Sequence, residues 1–150
     1  MIWVGLCLFT FMSSSCTKML TRTVIQPSVE NLQQQTDVDL VCDGAPAYLL
    51  MIDSMLVSAP EDRDLLMTAL QSYSGYLTAL QECGQTARQD IEALGEKSRT
   101  YGLRLLNQFL PLERGQTADN FDTALGNLDK ADVPYLFWGT YGWVNWVRGQ

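Results

Sequence analysis

From Pro46 onward, apolar residues recur along most of the chain at three- and four-residue steps, the spacing of helices with one buried side. Asp43-Gly44-Ala45-Pro46 reads as a helix start, because proline is tolerated in a first turn whose N–H groups have no intrahelical partner. The spacing predicts a short apolar helix from Pro46 to Ser58, ending before Pro60. A second helix opens at Pro60-Glu61-Asp62-Arg63-Asp64, where acidic side chains suit the positive end of the helix dipole. Leu65, Ala69, Tyr73, Tyr76, Leu77 and Leu80 line one side of it, and Gly84 is its stop. Thr86 stands where a third helix needs a cap, with Ile91, Leu94, Tyr101, Leu105 and Phe109 on the apolar side and Pro111 at the end. Gly95 and Gly102 fall inside that helix. Each costs roughly 1 kcal/mol there, so each is expected to permit a close approach. A fourth helix is expected from about Ala118 to Leu128, and a fifth from its cap Asp132 through VPYLFWGTYGWVNWV, Val133 to Val147.

That last stretch carries three tryptophans and no charge. Its 15 residues fall short of the roughly 20 that a membrane span takes. Being apolar nearly all round, it is expected to pack on more than one side. In a helix Trp138, Gly142 and Trp146 share one face, and Leu136, Gly139, Trp143 and Val147 another, with Gly139 as the point of closest contact. No run alternates with period two for long enough to be a strand. The predicted fold is all-α: antiparallel helix pairs joined by short loops in an irregular, tetratricopeptide-like stack. Phe121 and Ala124 take the aromatic and small positions of one helix of such a repeat. Tyr135, Trp138 and Gly139 take those of the next helix, at a period of about 34 residues. One period earlier the pattern fails, because Arg104 and Leu105 stand in those places.

Composition narrows the chemistry. The 150 residues are 47% hydrophobic, enough to bury a core, and the net charge is -7. That charge argues against a nucleic-acid partner, whose phosphates demand clustered Lys and Arg. The chain has no histidine, which removes the commonest general base and metal ligand. The acidic pairs Glu61/Asp62, Asp119/Asp122 and Asp129/Asp132 lie at helix starts or in loops, where capping and solvation account for them. Ser72, Ser74 and Ser98 have no histidine to activate them. No catalytic residue, metal site or cofactor is predicted. Tyr73, Tyr76, Trp138, Gly139 and Trp143 are candidates for packing or for lining a ligand cavity. Asp53, inside the apolar run LLMIDSML, is the most unusual polar residue. It sits either on an exposed helix face or at a polar contact inside the stack.

The N-terminus reads as an address. Ile2 to Met12, IWVGLCLFTFM, matches the apolar core of a secretory signal. The following SSSC resembles the lipobox of bacterial lipoproteins, which makes Cys16 the candidate acylation site, carrying chains such as palmitate. Two departures stand against the pattern: Ser13 takes the place of the usual aliphatic residue, and no basic residue precedes the apolar run. Residues 1–15 are thus expected as signal peptide, 16–40 as a polar tether and 41–150 as the helical domain. If the protein is exported, Cys42 and Cys83 can form a disulfide; the alternative reading is two buried free thiols.

DGAPAYLLMIDSML (Asp43–Leu56), PEDRDLLMTALQSYSGY (Pro60–Tyr76), SRTYGLRLL (Ser98–Leu106) and FDTALGNLDKADVPYLFWGTYGWVNWV (Phe121–Val147) follow one another in this order. Together they resemble the T component of TRAP transporters, the TatT family of periplasmic lipoproteins, across about Val41 to Val147. The resemblance implies a non-enzymatic helical lipoprotein on the periplasmic side of the bacterial cell envelope, anchored to a membrane by its acyl chains. It further implies a homotrimer, association with the substrate-binding P protein of a TRAP system, and a cavity or pore for ligands. Family members continue past the Trp-x-x-Trp region with further helix pairs. The resemblance therefore implies that a chain stopping at Arg148-Gly149-Gln150 is the N-terminal half of such a protein. The alternative function is a generic helical-repeat envelope scaffold without a transport role.

Overall fold

The computed structural model describes residues 36–80, 82–84, 88–112 and 117–150, together with Pro27 and Gln34. Every regular element among them is helical: α1 (Val38–Ser58), α2 (Arg63–Ala79), α3 (Arg88–Leu106), α4 (Ala118–Gly126) and α5 (Val133–Gly149). The all-α expectation holds. The signal segment, Cys16 and Thr86 lie outside the described residues.

Helix α1 begins eight residues before the predicted start at Pro46. Asp37 is its cap, its carboxylate accepting from the backbone N–H of Leu40 at 3.1 Å. Pro46 therefore lies in the helix interior, not in the first turn. Proline removes one N–H from the ladder, and the missing donor is the one that would meet the Cys42 carbonyl. Downstream, Leu49, Ile52 and Leu56 turn inward and hold the rest of α1 to the core. The helix is long and apolar enough to cross a membrane by length and composition. Its inward side is nevertheless spent on that core.

Asp62 caps α2, accepting from the Leu65 N–H at 3.0 Å, and Leu65, Leu66, Ala69, Leu70, Tyr73 and Tyr76 are its buried side. The chain reverses through Gly84, whose φ of 66° suits a residue without Cβ. Helix α3 ends at Leu106, short of the predicted stop at Pro111, and winds off through turns at Gln108 and Phe109. Thr117 caps α4, which stops at Gly126 and has no buried residue. Asp132 precedes α5 but makes no capping bond to it. Its carboxylate instead accepts from the Asp129 N–H at 3.0 Å, closing the preceding turn.

Contacts fix the directions. Asp53 meets Tyr73 and Cys42 meets Cys83, so α1 and α2 are antiparallel. Tyr73 packs on Tyr101 and Arg63 reaches Gln108, so α2 and α3 are antiparallel. Gly95 abuts Trp146 and Gly102 abuts Gly139, so α3 and α5 are antiparallel. Helices α2 and α5 run parallel: Asp64 pairs with Tyr135 and Ser74 with Asn145, each 71 residues apart. The α2–α3 pair is the centre, with α1 laid across one face and α5 across another.

Candidate functional site

Three arrangements stand out, and the first joins the helices. Asp53 follows Ile52 at the edge of the inward stripe of α1, which brings its carboxylate over the α2–α3 seam. It accepts from the Tyr73 hydroxyl at 2.9 Å and from the Tyr101 hydroxyl at 2.6 Å, and it pairs with the Lys97 ammonium. Its side chain is 14% exposed. Of the two readings of Asp53, the polar contact inside the stack is the one found. The two rings pack edge to face at 5.8 Å. Three donors, two hydroxyls and an ammonium, meet the carboxylate, which is the kind of compensation a charge at this depth requires. Both phenols are pushed above their ordinary 10.0, first by burial and then by the hydrogen bond and charge of Asp53.

This cluster is structural, and two measurements should show it. Asp53→Ala orphans both hydroxyls and should lower the unfolding free energy by about 2–3 kcal/mol in urea titration. A phenol whose folded-state pKa is raised contributes stability that is whole below the unfolded value of 10.0 and is lost as pH rises past it. Melting temperatures should therefore drop above pH 10.0, and drop less in Tyr73→Phe.

The second arrangement is a seam of small residues where α3 crosses α5. Gly139, Gly142, Asn145 and Gly149 form the buried side of α5. Opposite them stand Gly95, Ser98 and Gly102 of α3. A Cβ built on Gly142 would lie 2.5 Å from the Ser98 carbonyl oxygen and 2.8 Å from Leu70 Cδ2. One built on Gly102 would strike the Gly139 carbonyl oxygen. Asn145 donates to Ser74 Oγ at 2.6 Å, and Ser74 donates to the Leu70 carbonyl at 2.6 Å. The Ser98 hydroxyl alone among the described buried side-chain groups lacks a partner.

The third arrangement is the outer side of α5. Val133, Leu136, Phe137, Thr140, Tyr141 and Val144 border an open groove of about 440 Å³. Phe137 is 56% exposed, and its ring stacks on Tyr141 at 5.8 Å and meets Trp138 edge on. Trp143 and Val147 continue the exposed apolar surface along the helix. Among the described residues, no charged side chain borders the groove.

The predicted site residues scatter across these features. Tyr73 and Tyr76 are core residues, and Tyr73 also belongs to the Asp53 cluster. Gly139 is the expected close contact, pressed on Leu106 and Gly102. Trp138 is half-buried against the core. Trp143 is 43% exposed and does not share the buried side of Gly139. The two faces drawn from helical spacing thus need correcting: Gly139 and Gly142 lie together on one buried side, because only residues without side-chain bulk fit against α3. Sequence reasoning missed Gly142, Asn145 and Gly149. The signal for the two glycines was the repeated spacing, Gly95/Gly102 answered by Gly142/Gly149; Asn145 carried none.

A family model described as TRAP transporter T-component matches residues 34–150, most of the chain. The chain belongs to the TRAP transporter T-component family. No curated protein and no solved structure matches it. Membership gives this T component a transport role at the cell envelope, and it fits the features above, where polar side chains fasten helices together. Of the acidic residues weighed for chemistry, Asp62 holds the start of α2, Asp129 and Asp132 close the turn before α5, and Glu61 accepts from the Gln108 amide.

Proposed function

We propose that the protein is a non-enzymatic accessory subunit of a TRAP-type uptake system, held on the periplasmic side by acyl chains on Cys16. In this reading it associates with the substrate-binding P protein and offers ligands an apolar cavity or pore. A homotrimer and tetratricopeptide-like stacking of the helix pairs belong to the same reading. The single observation behind the docking role is the outer side of α5, an uncharged apolar groove flanked by the exposed Phe137, Val144, Trp143 and Val147. Large exposed apolar patches mark interaction surfaces. An aromatic such as Phe137 at the groove is the residue type that anchors them.

The test is co-purification from membrane extracts with a TRAP substrate-binding protein encoded beside it. Phe137→Glu combined with Val144→Glu should weaken that association at least tenfold. Because both residues are exposed, the unfolding free energy should shift by no more than about 0.5 kcal/mol per site. Capture of an envelope-assembly protein in place of a solute receptor would instead favour the scaffold role. Unchanged binding by the double variant would remove the groove from the account.

A further inference from the structure

The first turns of α1 are joined to the body by one covalent point. Every residue from Val38 to Gly44 is exposed or half-buried, and Ala45 is the first buried position of the helix. Among the described residues, no side-chain hydrogen bond or ion pair links this segment to another helix; Asp37 only caps α1 itself. Cys42, in the middle of the segment, is bonded to Cys83 in the turn after α2. At the downstream end stands Pro46, with Gly44 two residues before it. The absent proline N–H breaks the ladder at the Cys42 carbonyl, and glycine is the poorest helix former after proline. The helix is therefore weakest where this segment meets the docked part of α1. That docked part has its own anchors in Leu49, Ile52, Leu56 and the Asp53 cluster.

We propose that Val38–Gly44 is a redox-released arm: the Cys42–Cys83 bond holds it helical against the body, and reduction by a dithiol frees it while α1 from Ala45 onward stays docked. In the first step a reductant thiolate attacks one of the two sulfurs. The S–S bond breaks, and its electron pair leaves on the other sulfur, which takes up a proton. The second thiol of the reductant then displaces the remaining protein sulfur from the mixed disulfide. Two electrons and two protons have passed to the protein, Cys42 and Cys83 are thiols, and the reductant departs as its own disulfide. Both cysteines are half-buried, so a small dithiol has access.

Release changes reach. Seven residues span about 10 Å as α-helix and about 24 Å when extended. Whatever precedes Asp37 then stands about 13 Å farther from the body, on the same rise values. The device is a two-length connection set by thiol chemistry.

Hydrogen–deuterium exchange read by mass spectrometry tests it on the full chain, oxidised and after dithiothreitol, with reduction verified by a 2 Da mass gain. The amides of Val41–Gly44 should exchange at least tenfold faster when reduced. Peptides covering Leu49–Leu56, Leu65–Tyr76 and Ser98–Leu105 should stay unexchanged at the short labelling times at which Val41–Gly44 exchanges, the lower global stability of the reduced protein showing only at long times. The Cys42→Ser/Cys83→Ser variant should match the reduced protein, and adding Pro46→Ala, which restores a donor for the Cys42 carbonyl, should recover most of the lost protection. Equal protection of Val41–Gly44 in both redox states would overturn the proposal. So would simultaneous loss of protection across α1, α2 and α3 at those same short labelling times, which would make the bond a global staple with no arm to release.

Discussion

Gly102→Ala is expected to lower the unfolding free energy by about 3 kcal/mol, although alanine is the better helix former by about 1 kcal/mol. The reason is what the new methyl group meets. On Gly102 it runs into the backbone carbonyl of Gly139, which cannot step aside without moving α5 as a body. Gly142→Ala should cost about as much, because the Ser98 backbone carbonyl blocks it in the same way and Leu70 adds a side-chain obstacle. Gly75→Ala is the contrast. Gly75 is exposed in the interior of α2 with nothing within 4 Å of its would-be Cβ, so the same substitution should stabilise by about 0.5–1 kcal/mol. Urea titrations of the three variants read both sign and size. Equal effects at Gly75 and Gly102 would mean that the α3–α5 crossing is looser than described.

Loss of the Cys42–Cys83 bond should be the costliest single change. The bridge closes a loop across a sequence separation of 41. Chain-entropy reasoning assigns a cross-link of that span about 4 kcal/mol, through restriction of the unfolded chain. Against the 5–15 kcal/mol typical of a whole domain, this is a large fraction, yet it leaves a folded protein. Cys42→Ser/Cys83→Ser should therefore unfold at markedly lower urea with an unchanged core. The check is the urea midpoint of the double variant beside that of the oxidised protein. A midpoint shift worth less than about 1 kcal/mol would show that the unfolded chain is already compact around this loop.

Much of this architecture was legible because helices announce themselves by period and by cap. Leu65 through Leu80 marked the buried side of α2, and Asp62 its start. The cost of glycine inside α3 pointed correctly to a close crossing at Gly95 and Gly102. The start of α1 was misplaced because Pro46 looked like a first-turn proline. The better signal was Asp37, three residues before the N–H it caps. Proline is tolerated inside α1 because Leu49, Ile52 and Leu56 beyond it are buried and Cys42 before it is bridged. Asp53 could not be resolved from its neighbours. Its partners Tyr73, Lys97 and Tyr101 lie 20, 44 and 48 residues away, and only the tertiary arrangement brings them together. The pairing of Cys42 with Cys83 was open for the same reason: spacing alone does not bring two sulfurs together. The exposed side of Trp143 was hidden because an all-apolar helix does not say which side is covered.

The parallel register of α2 and α5 bears on how the chain acquires its shape. Contacts among α1, α2 and α3 join residues 20 to 48 apart, whereas each bond between α2 and α5 spans 71. The α3–α5 crossing closes shorter spans, such as Gly102 to Gly139, so α5 should pair with α3 early and the 71-residue bonds to α2 should form last. Until then Leu70 and Ser74 stand uncovered. Docking into so tight a seam as that of α3 and α5 also proofreads its register. A helix arriving one turn out of step would set side chains where only glycine fits, and it would be rejected before it could lock.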